Sequence, residues 1–130
     1  MQISERSVGD VTILDLEGRL VVEDGVTPFI DRMNALVRHG RKKILLNFEG
    51  VTYLDSSGVG AVVWKYVTAR KQDASVKLLN LTRRSHNVLM ITKLLTVLET
   101  FDSEQQAIDS FVKRTRDTES GPDTGFGGLT

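Results

Sequence analysis

The sequence predicts a single α/β domain in which an N-terminal β-hairpin is followed by alternating helices and strands. Short, mostly apolar runs at residues 44–48 and 76–81 have the length of strands that are covered on both faces. Between and after these runs, apolar residues recur at helical spacing. Such alternation is typical of a parallel sheet with right-handed crossovers. The hairpin makes the sheet mixed, and the helices pack on it.

The hairpin is predicted at the start of the chain. Residues 3–8 and 11–17 have the composition of two short strands. The dipeptide Gly9-Asp10 between them suits a two-residue turn, because glycine tolerates the positive φ angle that such a turn needs.

Three helices are predicted in the middle of the chain. The first begins near Pro28, with Thr27 as its cap and a start several residues earlier as the alternative, and it ends at Gly40. Its apolar side consists of Phe29, Ile30, Met33, Leu36 and Val37. A second helix is predicted at residues 57–71, between the two apolar runs, and a third at residues 83–95.

The last predicted elements are a weaker strand at residues 97–101 and a helix that begins after Ser103. The Ser103 hydroxyl and the Gln106 side chain can each satisfy a backbone N–H of the other, an arrangement known as a capping box. The predicted order of elements is therefore β-β-α-β-α-β-α-β-α.

Length and composition favour one soluble domain without a cofactor. The chain has 130 residues, and 17 basic side chains balance 17 acidic ones, so it lacks the positive field of a nucleic-acid-binding protein. Cysteine is absent, which excludes disulfides and thiolate metal sites, and His39 and His86 have no metal-ligand spacing. We expect no metal, no cofactor and no nucleic-acid partner.

The two ends of the chain predict its location and its domain boundary. Residues 1–6 carry charge where a secretion signal would be apolar, and no run approaches the roughly 18 apolar residues of a membrane span. We therefore expect a cytoplasmic protein without membrane insertion. Residues 115–130 are rich in glycine, with only Phe126 and Leu129 as apolar residues. Residues 1–114 are predicted to form the domain, and residues 115–130 a disordered tail.

The most distinctive stretch is the predicted turn at residues 54–60, between a buried strand and a helix. Functional loops of such sheets gather beyond the carboxyl ends of parallel strands. On one interpretation, Asp55 or Ser56 simply caps the helix that follows. On the other, Ser57 lies on the first helical turn, where free N–H groups and the helix dipole favour a phosphate.

The helix after this turn has two predicted sides. Val59, Val62, Val63 and Tyr66 form the core side, whereas Ser57, Ala61, Trp64 and Thr68 line the other. On an exposed side, Trp64 would be an aromatic anchor for a protein partner. The alternative is that Trp64 fills a gap against a neighbouring helix.

Two arginines open the next predicted helix. Arg83 and Arg84 oppose the helix dipole there, which costs a few tenths of a kcal/mol each. If their loop lies beside the serine loop, they can pair with an acidic partner or with a phosphoserine. The alternative is that both are solvated charges.

The chain carries little catalytic chemistry. Ser57 lies in no G-x-S-x-G nucleophile elbow, and no general base is recognisable for it, so a serine hydrolase has little support. No phosphate-binding G-x-x-x-x-G-K loop is present in the sequence. We expect a protein that is not an enzyme.

The chain resembles STAS domains, the modules of sulphate transporters and anti-sigma factor antagonists, and specifically the free-standing bacterial antagonists. The resemblance runs from about residue 3 to residue 114. It rests on residues 16–20 (LEGRL), residues 45–48 (LLNF), residues 53–60 (YLDSSGVG) and the order of elements.

The resemblance implies a partner switch that regulates transcription. In that family the serine matching Ser57 is phosphorylated by the anti-sigma factor, itself a serine kinase. The unphosphorylated antagonist captures the kinase, the phosphorylated form releases it, and a phosphoserine phosphatase is an expected second partner. Beside Ser57, we expect partner contacts at Asp55, Ser56, Gly58, Gly60, Ala61, Trp64, Arg83 and Arg84.

A second hypothesis is a scaffold or regulatory subunit of a transporter or stress-signalling assembly, with Ser57 as a structural helix cap. The chain also departs from the family at one position. Family members often carry an aspartate directly after the G-x-L stretch, where this chain has Val21, with Glu23 and Asp24 nearby. This departure bears on the identity of the kinase more than on the role of Ser57.

Overall fold

The computed structural model describes residues 1–111, which form one mixed sheet with helices on both faces. The elements are β1 (Gln2–Val8), β2 (Val11–Leu20), α1 (Val26–Arg38), β3 (Lys43–Leu54), α2 (Ser56–Lys71), β4 (Ser75–Leu79), α3 (Arg83–Ile91), β5 (Thr100–Phe101) and a last helix, α4, over residues 104–111. The predicted α/β class and order of elements are confirmed. The predicted tail at residues 115–130 lies outside the described residues.

The five strands lie in the sheet in the same order as in the chain. β1 pairs antiparallel with β2, and the pairs β2–β3, β3–β4 and β4–β5 are parallel. Gly9, in the turn between β1 and β2, has a φ of 61°, as the hairpin prediction requires. The carboxyl ends of four strands therefore meet at one edge of the sheet, which we call the carboxyl edge.

Each face of the sheet has its own apolar core. On one face, α1, α2 and α3 cover side chains of the central strands that include Leu14, Leu46 and Phe48. On the other face, α4 covers a smaller cluster. That cluster contains Val11, Ile13, Leu45, Leu79, Ala107, Ile108 and Phe111. Because both faces are covered, the central strands are nearly continuous apolar runs.

Two polar contacts fasten α4 to the sheet. Lys77 of β4 is only 1% exposed, and its Nζ donates to Ser110 Oγ at 2.7 Å. Arg6 of β1 donates to both carboxylate oxygens of Glu104 at the start of α4. The predicted cap of this helix is present in part, because the backbone N–H of Gln106 donates to Ser103 Oγ at 3.3 Å.

Several predicted boundaries differ from the structure. β3 continues to Leu54 instead of ending at residue 48, because its second half pairs with β2 across two register irregularities. The first helix begins at Val26, with Gly25 and not Thr27 as its N-cap. The reason is a tight turn in which the N–H groups of Asp24, Gly25 and Val26 all point to the Val21 carbonyl. The third helix ends at Ile91, since Lys93 adopts a left-handed conformation.

Candidate functional site

The predicted serine loop lies at the carboxyl edge of the sheet. Leu20 and Leu54, the last residues of β2 and β3, are paired there, and Asp55 follows Leu54 directly. Because β3 and β4 are parallel neighbours, the loop after β4 lies at the same edge. The site thus combines the start of α2 with the turns after β2 and β4.

Asp55 is the N-cap of α2. Its Oδ1 accepts a hydrogen bond from the Gly58 backbone N–H at 2.8 Å, and its backbone is extended, as a cap requires. Ser56 and Ser57 are the first two helical residues. The interpretation of Asp55 as a cap is confirmed, whereas the alternative that Ser57 is a structural helix cap is wrong, because Asp55 already fills that position.

Ser57 is exposed on the first turn of α2. Within residues 1–111, its hydroxyl and its backbone N–H make no hydrogen bond, and neither does the N–H of Ser56. These N–H groups lie at the positive end of a 16-residue helix. The arrangement leaves the Ser57 hydroxyl exposed to water, beside unpaired N–H donors that would stabilise a phosphate on it.

Gly58 has a packing function. It is buried, and a Cβ placed on it would lie 2.2 Å from the Leu20 carbonyl oxygen and 2.8 Å from Leu54 Cδ1. Only glycine lets the first turn of α2 approach the end of β2 this closely. The expectation of Gly58 as a partner contact therefore needs correction, because its atoms face the interior of the protein.

The buried side of α2 is wider than the sequence predicts. Ala61 is only 4% exposed, so placing it on the outer side with Ser57 is wrong. The reason is that α2 packs against α1 as well as against the sheet. The buried residues are Gly58, Val59, Ala61, Val62, Lys65, Tyr66 and Ala69. The remaining exposed stripe, which we call the α2 surface, consists of Ser57, Gly60, Trp64 and Val67.

Trp64 dominates the α2 surface. It is 54% exposed, so it does not fill a gap between helices, and Val67 beside it is 42% exposed. Gly60 contributes open space, because a Cβ placed on it would meet no atom within 4 Å. The α2 surface therefore combines the Ser57 hydroxyl, a glycine without a side chain and the large aromatic ring of Trp64 within three helical turns.

The two arginines at the start of α3 point to different places. The Arg84 guanidinium lies 5.4 Å from the ring centroid of Tyr53, at the end of β3, and so approaches the serine loop. Arg83 instead lines a cavity of about 410 Å³ between α3 and β5, together with Phe101 and Asp102. The condition that the loop of the two arginines lies beside the serine loop is thus met through Arg84, whereas Arg83 lines the cavity at β5.

Sequence reasoning missed exposed apolar side chains at the same edge. Tyr53 is 42% exposed beneath Arg84, and Val22, in the turn after β2, is 59% exposed. Tyr53 lies in the part of β3 beyond residue 48, which the sequence did not predict as strand, and it is exposed together with Thr52 between the buried Val51 and Leu54. Val21, at the position of the family's frequent aspartate, is 2% exposed and belongs to the core.

The described residues offer no centre for metal chemistry. Over residues 1–111, no three or more histidine or acidic side chains come together in a way that could hold a metal ion.

No helix within residues 1–111 combines the length and the apolar character needed to cross a membrane.

Known structures share this architecture. The anti-sigma factor antagonist SpoIIAA in its unphosphorylated form is 23% identical, with 86% of this chain and 97% of that chain covered and a TM-score of 0.73. The phosphorylated form of SpoIIAA, from Bacillus, has a TM-score of 0.67. An anti-sigma factor antagonist from Mycobacterium paratuberculosis is 12% identical over 84% of this chain and 92% of that chain, with a TM-score of 0.76.

A membrane protein also contains the fold. The murine anion transporter Slc26a9 is 17% identical over 79% of this chain but only 18% of its own, with a TM-score of 0.66. At these identities the structural likeness establishes the fold. No curated protein sequence matches the chain. A family model for the STAS domain matches residues 2–107, and with the observed sheet and serine loop this match shows that the chain belongs to the STAS domain family.

Proposed function

We propose that this protein is an anti-sigma factor antagonist that binds a serine-kinase anti-sigma factor and releases it when Ser57 is phosphorylated. The observation that carries the proposal is the state of Ser57. Its hydroxyl is exposed on the first turn of α2, while Asp55 performs the capping that a serine there would otherwise supply. The hydroxyl is therefore accessible to a kinase.

The α2 surface supports the binding step. Trp64 offers a large apolar area of the kind that anchors protein interfaces. Gly60 lies in an exposed helix interior, where glycine costs about 0.5–1 kcal/mol relative to alanine, and no neighbour within residues 1–111 requires its small size. A partner whose backbone approaches α2 closely at Gly60 accounts for the presence of glycine at this position.

The position of Ser57 also supports the release step. A phosphate carries nearly two negative charges at neutral pH, and a partner surface built around a hydroxyl would have to desolvate them. The N–H groups of Ser56 and Ser57 would hold that phosphate on the antagonist. Arg84, which reaches the end of β3, adds a nearby cation for an acidic partner or for the phosphoserine.

The relatives support the same assignment. SpoIIAA is described as an anti-sigma factor antagonist and has been solved in phosphorylated and unphosphorylated forms. By analogy, the proposed cycle has a kinase and a phosphoserine phosphatase as partners, operates in the cytoplasm and regulates transcription. The antagonist itself carries out no catalysis in this cycle.

The experiment uses matched serine variants and a serine-kinase anti-sigma factor encoded in the same genome. Ser57→Ala should retain kinase binding in calorimetry, whereas Ser57→Asp should lose it. Ser56→Ala is the control, because Ser56 is its exposed neighbour on the same turn, and it should bind and become phosphorylated like the wild type. Phosphopeptide mapping should place the phosphate on Ser57. Equal binding of Ser57→Asp and Ser57→Ala would contradict the switch.

A second candidate is a regulatory subunit of a transporter, favoured by the occurrence of this fold within the murine anion transporter Slc26a9. In that case the α2 surface would contact a permease, and Ser57→Asp would not discriminate between partners. Co-purification of the tagged protein with a permease, unchanged by Ser57→Asp, would favour this candidate over the antagonist.

A further inference from the structure

A cavity between α1 and α2 contains a buried lysine that faces no carboxylate. The cavity has a volume of about 360 Å³ and lies away from the Ser57 hydroxyl, on the side of α2 that packs against α1. Its lining consists of Met33, Asn34, Val37, Arg38, Lys65, Thr68 and Gln72. Two of these side chains are cationic and none is acidic.

Lys65 is the unusual member of this lining. It is 7% exposed, and its Nζ donates to Asn34 Oδ1 at 2.7 Å and lies 4.1 Å from the centroid of the Trp64 ring. Within residues 1–111 it makes no ion pair. Burying a charge without an opposite charge is unfavourable. A neutral amide could make the same hydrogen bond without that cost, so linking α1 to α2 does not explain the charge.

The rest of the cavity divides into a cationic and an apolar part. Arg38, at the exposed end of α1, supplies a second positive charge. Met33 and Val37, one helical turn apart on α1, supply apolar wall. The volume lies within the range of cavities that bind small molecules.

We propose that this cavity binds a small organic anion with an apolar body. The anionic group, a carboxylate in the simplest case, pairs with Lys65 and Arg38. The apolar body lies against Met33 and Val37. Binding is noncovalent, and it supplies the negative charge that the buried ammonium group lacks.

Trp64 makes the proposal directly measurable. It is the single tryptophan of the chain, and its ring contacts the Lys65 ammonium group. An anion that pairs with Lys65 changes the electrostatic environment of that ring and hence its fluorescence. Ser57 takes no part in this site, so the result is independent of the proposed phosphorylation switch.

The test titrates the full-length protein with octanoate and records tryptophan fluorescence. We expect a saturable change with octanoate and none with the neutral analogue octanamide. Lys65→Met should weaken binding by about tenfold or more, because it removes a charge-assisted contact at a buried site. Lys71→Met, at an exposed lysine of the same helix, is the control and should bind octanoate like the wild type.

A second readout keeps the test decisive. The methyl resonance of Met33 should shift during the same titration, which locates the ligand in the cavity. If Lys65→Met fails to fold, Arg38→Gln replaces it and should also weaken binding. A linear fluorescence response, equal binding of octanamide, or wild-type affinity in the Lys65→Met or Arg38→Gln variant would overturn the proposal.

Discussion

Gly58 lies so close to Leu20 that a Cβ on the glycine would stand 2.2 Å from the leucine carbonyl oxygen. The same leucine is paired with Leu54, the last residue of β3. The first turn of α2 is thus held against the ends of two strands, and Ser57 is presented from a fixed backbone.

Alanine substitutions at Gly58 and Gly60 should change the stability of the protein in opposite directions. Gly58→Ala should lower the free energy of unfolding by about 1–3 kcal/mol, because the added methyl group forces α2 away from β2. Gly60→Ala should raise it by about 0.5–1 kcal/mol, since its Cβ enters open space in a helix interior. Urea unfolding of both variants measures the difference. If Gly58→Ala were as stable as the wild type, the close packing would be contradicted.

Gly60→Ala also tests the α2 surface as an interface. If a partner approaches Gly60 closely, the variant should be more stable and yet bind the kinase anti-sigma factor about tenfold or more weakly, because a methyl group blocks the contact. Calorimetry with the partner measures this effect. Undiminished affinity would place the interface elsewhere.

Asp55 should contribute to stability through its cap. Asp55→Ala removes the acceptor of the Gly58 N–H and should lower the free energy of unfolding by about 1 kcal/mol. Asp55→Asn keeps an acceptor oxygen and should lower the free energy of unfolding by only a few tenths of a kcal/mol. Thermal unfolding of the two variants compares them, and equal losses would show that the carboxylate charge matters more than the cap.

Arg84 and Arg83 should differ in their effect on the partner. Arg84 approaches the serine loop through Tyr53, whereas Arg83 lines the cavity at β5. Arg84→Gln should therefore weaken binding of the kinase anti-sigma factor by about three- to tenfold, as expected for loss of a charge-assisted contact at a partly exposed site. Arg83→Gln is the matched control and should bind normally. Equal weakening by both variants would point to a general charge effect.

Arg6 should make stability depend on pH. Its guanidinium hydrogen-bonds to Asp15 and Glu104 and lowers the pKa of both carboxyl groups. Carboxylates with a lowered folded-state pKa stabilise the protein above their unfolded pKa, and this contribution is lost as the pH falls through the folded values. The loss is therefore expected below the ordinary values of 3.8 and 4.5.

The variant Arg6→Met tests this pH dependence. Because these groups are partly exposed, the difference in unfolding free energy between wild type and variant should be only about 1 kcal/mol at pH 7. This difference should narrow as the pH falls below 4.5 and then 3.8, because the unfolded chain takes up protons there before the folded carboxylates do. Arg32→Met, which removes a longer 3.8 Å contact to Glu5, is the control and should show less pH dependence. A constant difference for Arg6→Met would contradict the mechanism.

The sequence predicted the fold well because its strongest signals are local. Apolar runs and turn residues such as Gly9 predict strands and turns that the structure contains at the same positions. The errors arose where one element depends on another. β3 extends to Leu54 because the second half of β2 pairs with it. The N-cap of α1 is Gly25 and not Thr27, because three consecutive N–H groups donate to the Val21 carbonyl in the turn before the helix.

The site was predicted less completely, for the same reason. The cap at Asp55 follows from local rules of helix capping, and the structure places Ser57 on the first helical turn, as the sequence predicts. The burial of Ala61 and Lys65 could not be predicted from local rules, because it depends on the packing of α1 against α2. A lysine within a helix is ordinarily exposed, so nothing in the periodicity indicates that Lys65 would be buried.

The strands lie side by side in the order in which the ribosome makes them. Each strand pairs with its neighbour in the chain, so every pairing closes only the loop between two consecutive strands. The first turn of α2, which carries Ser57, packs on the ends of β2 and β3, two strands that precede it in the chain. The proposed phosphorylation site therefore rests on strands that come before its own helix in the sequence.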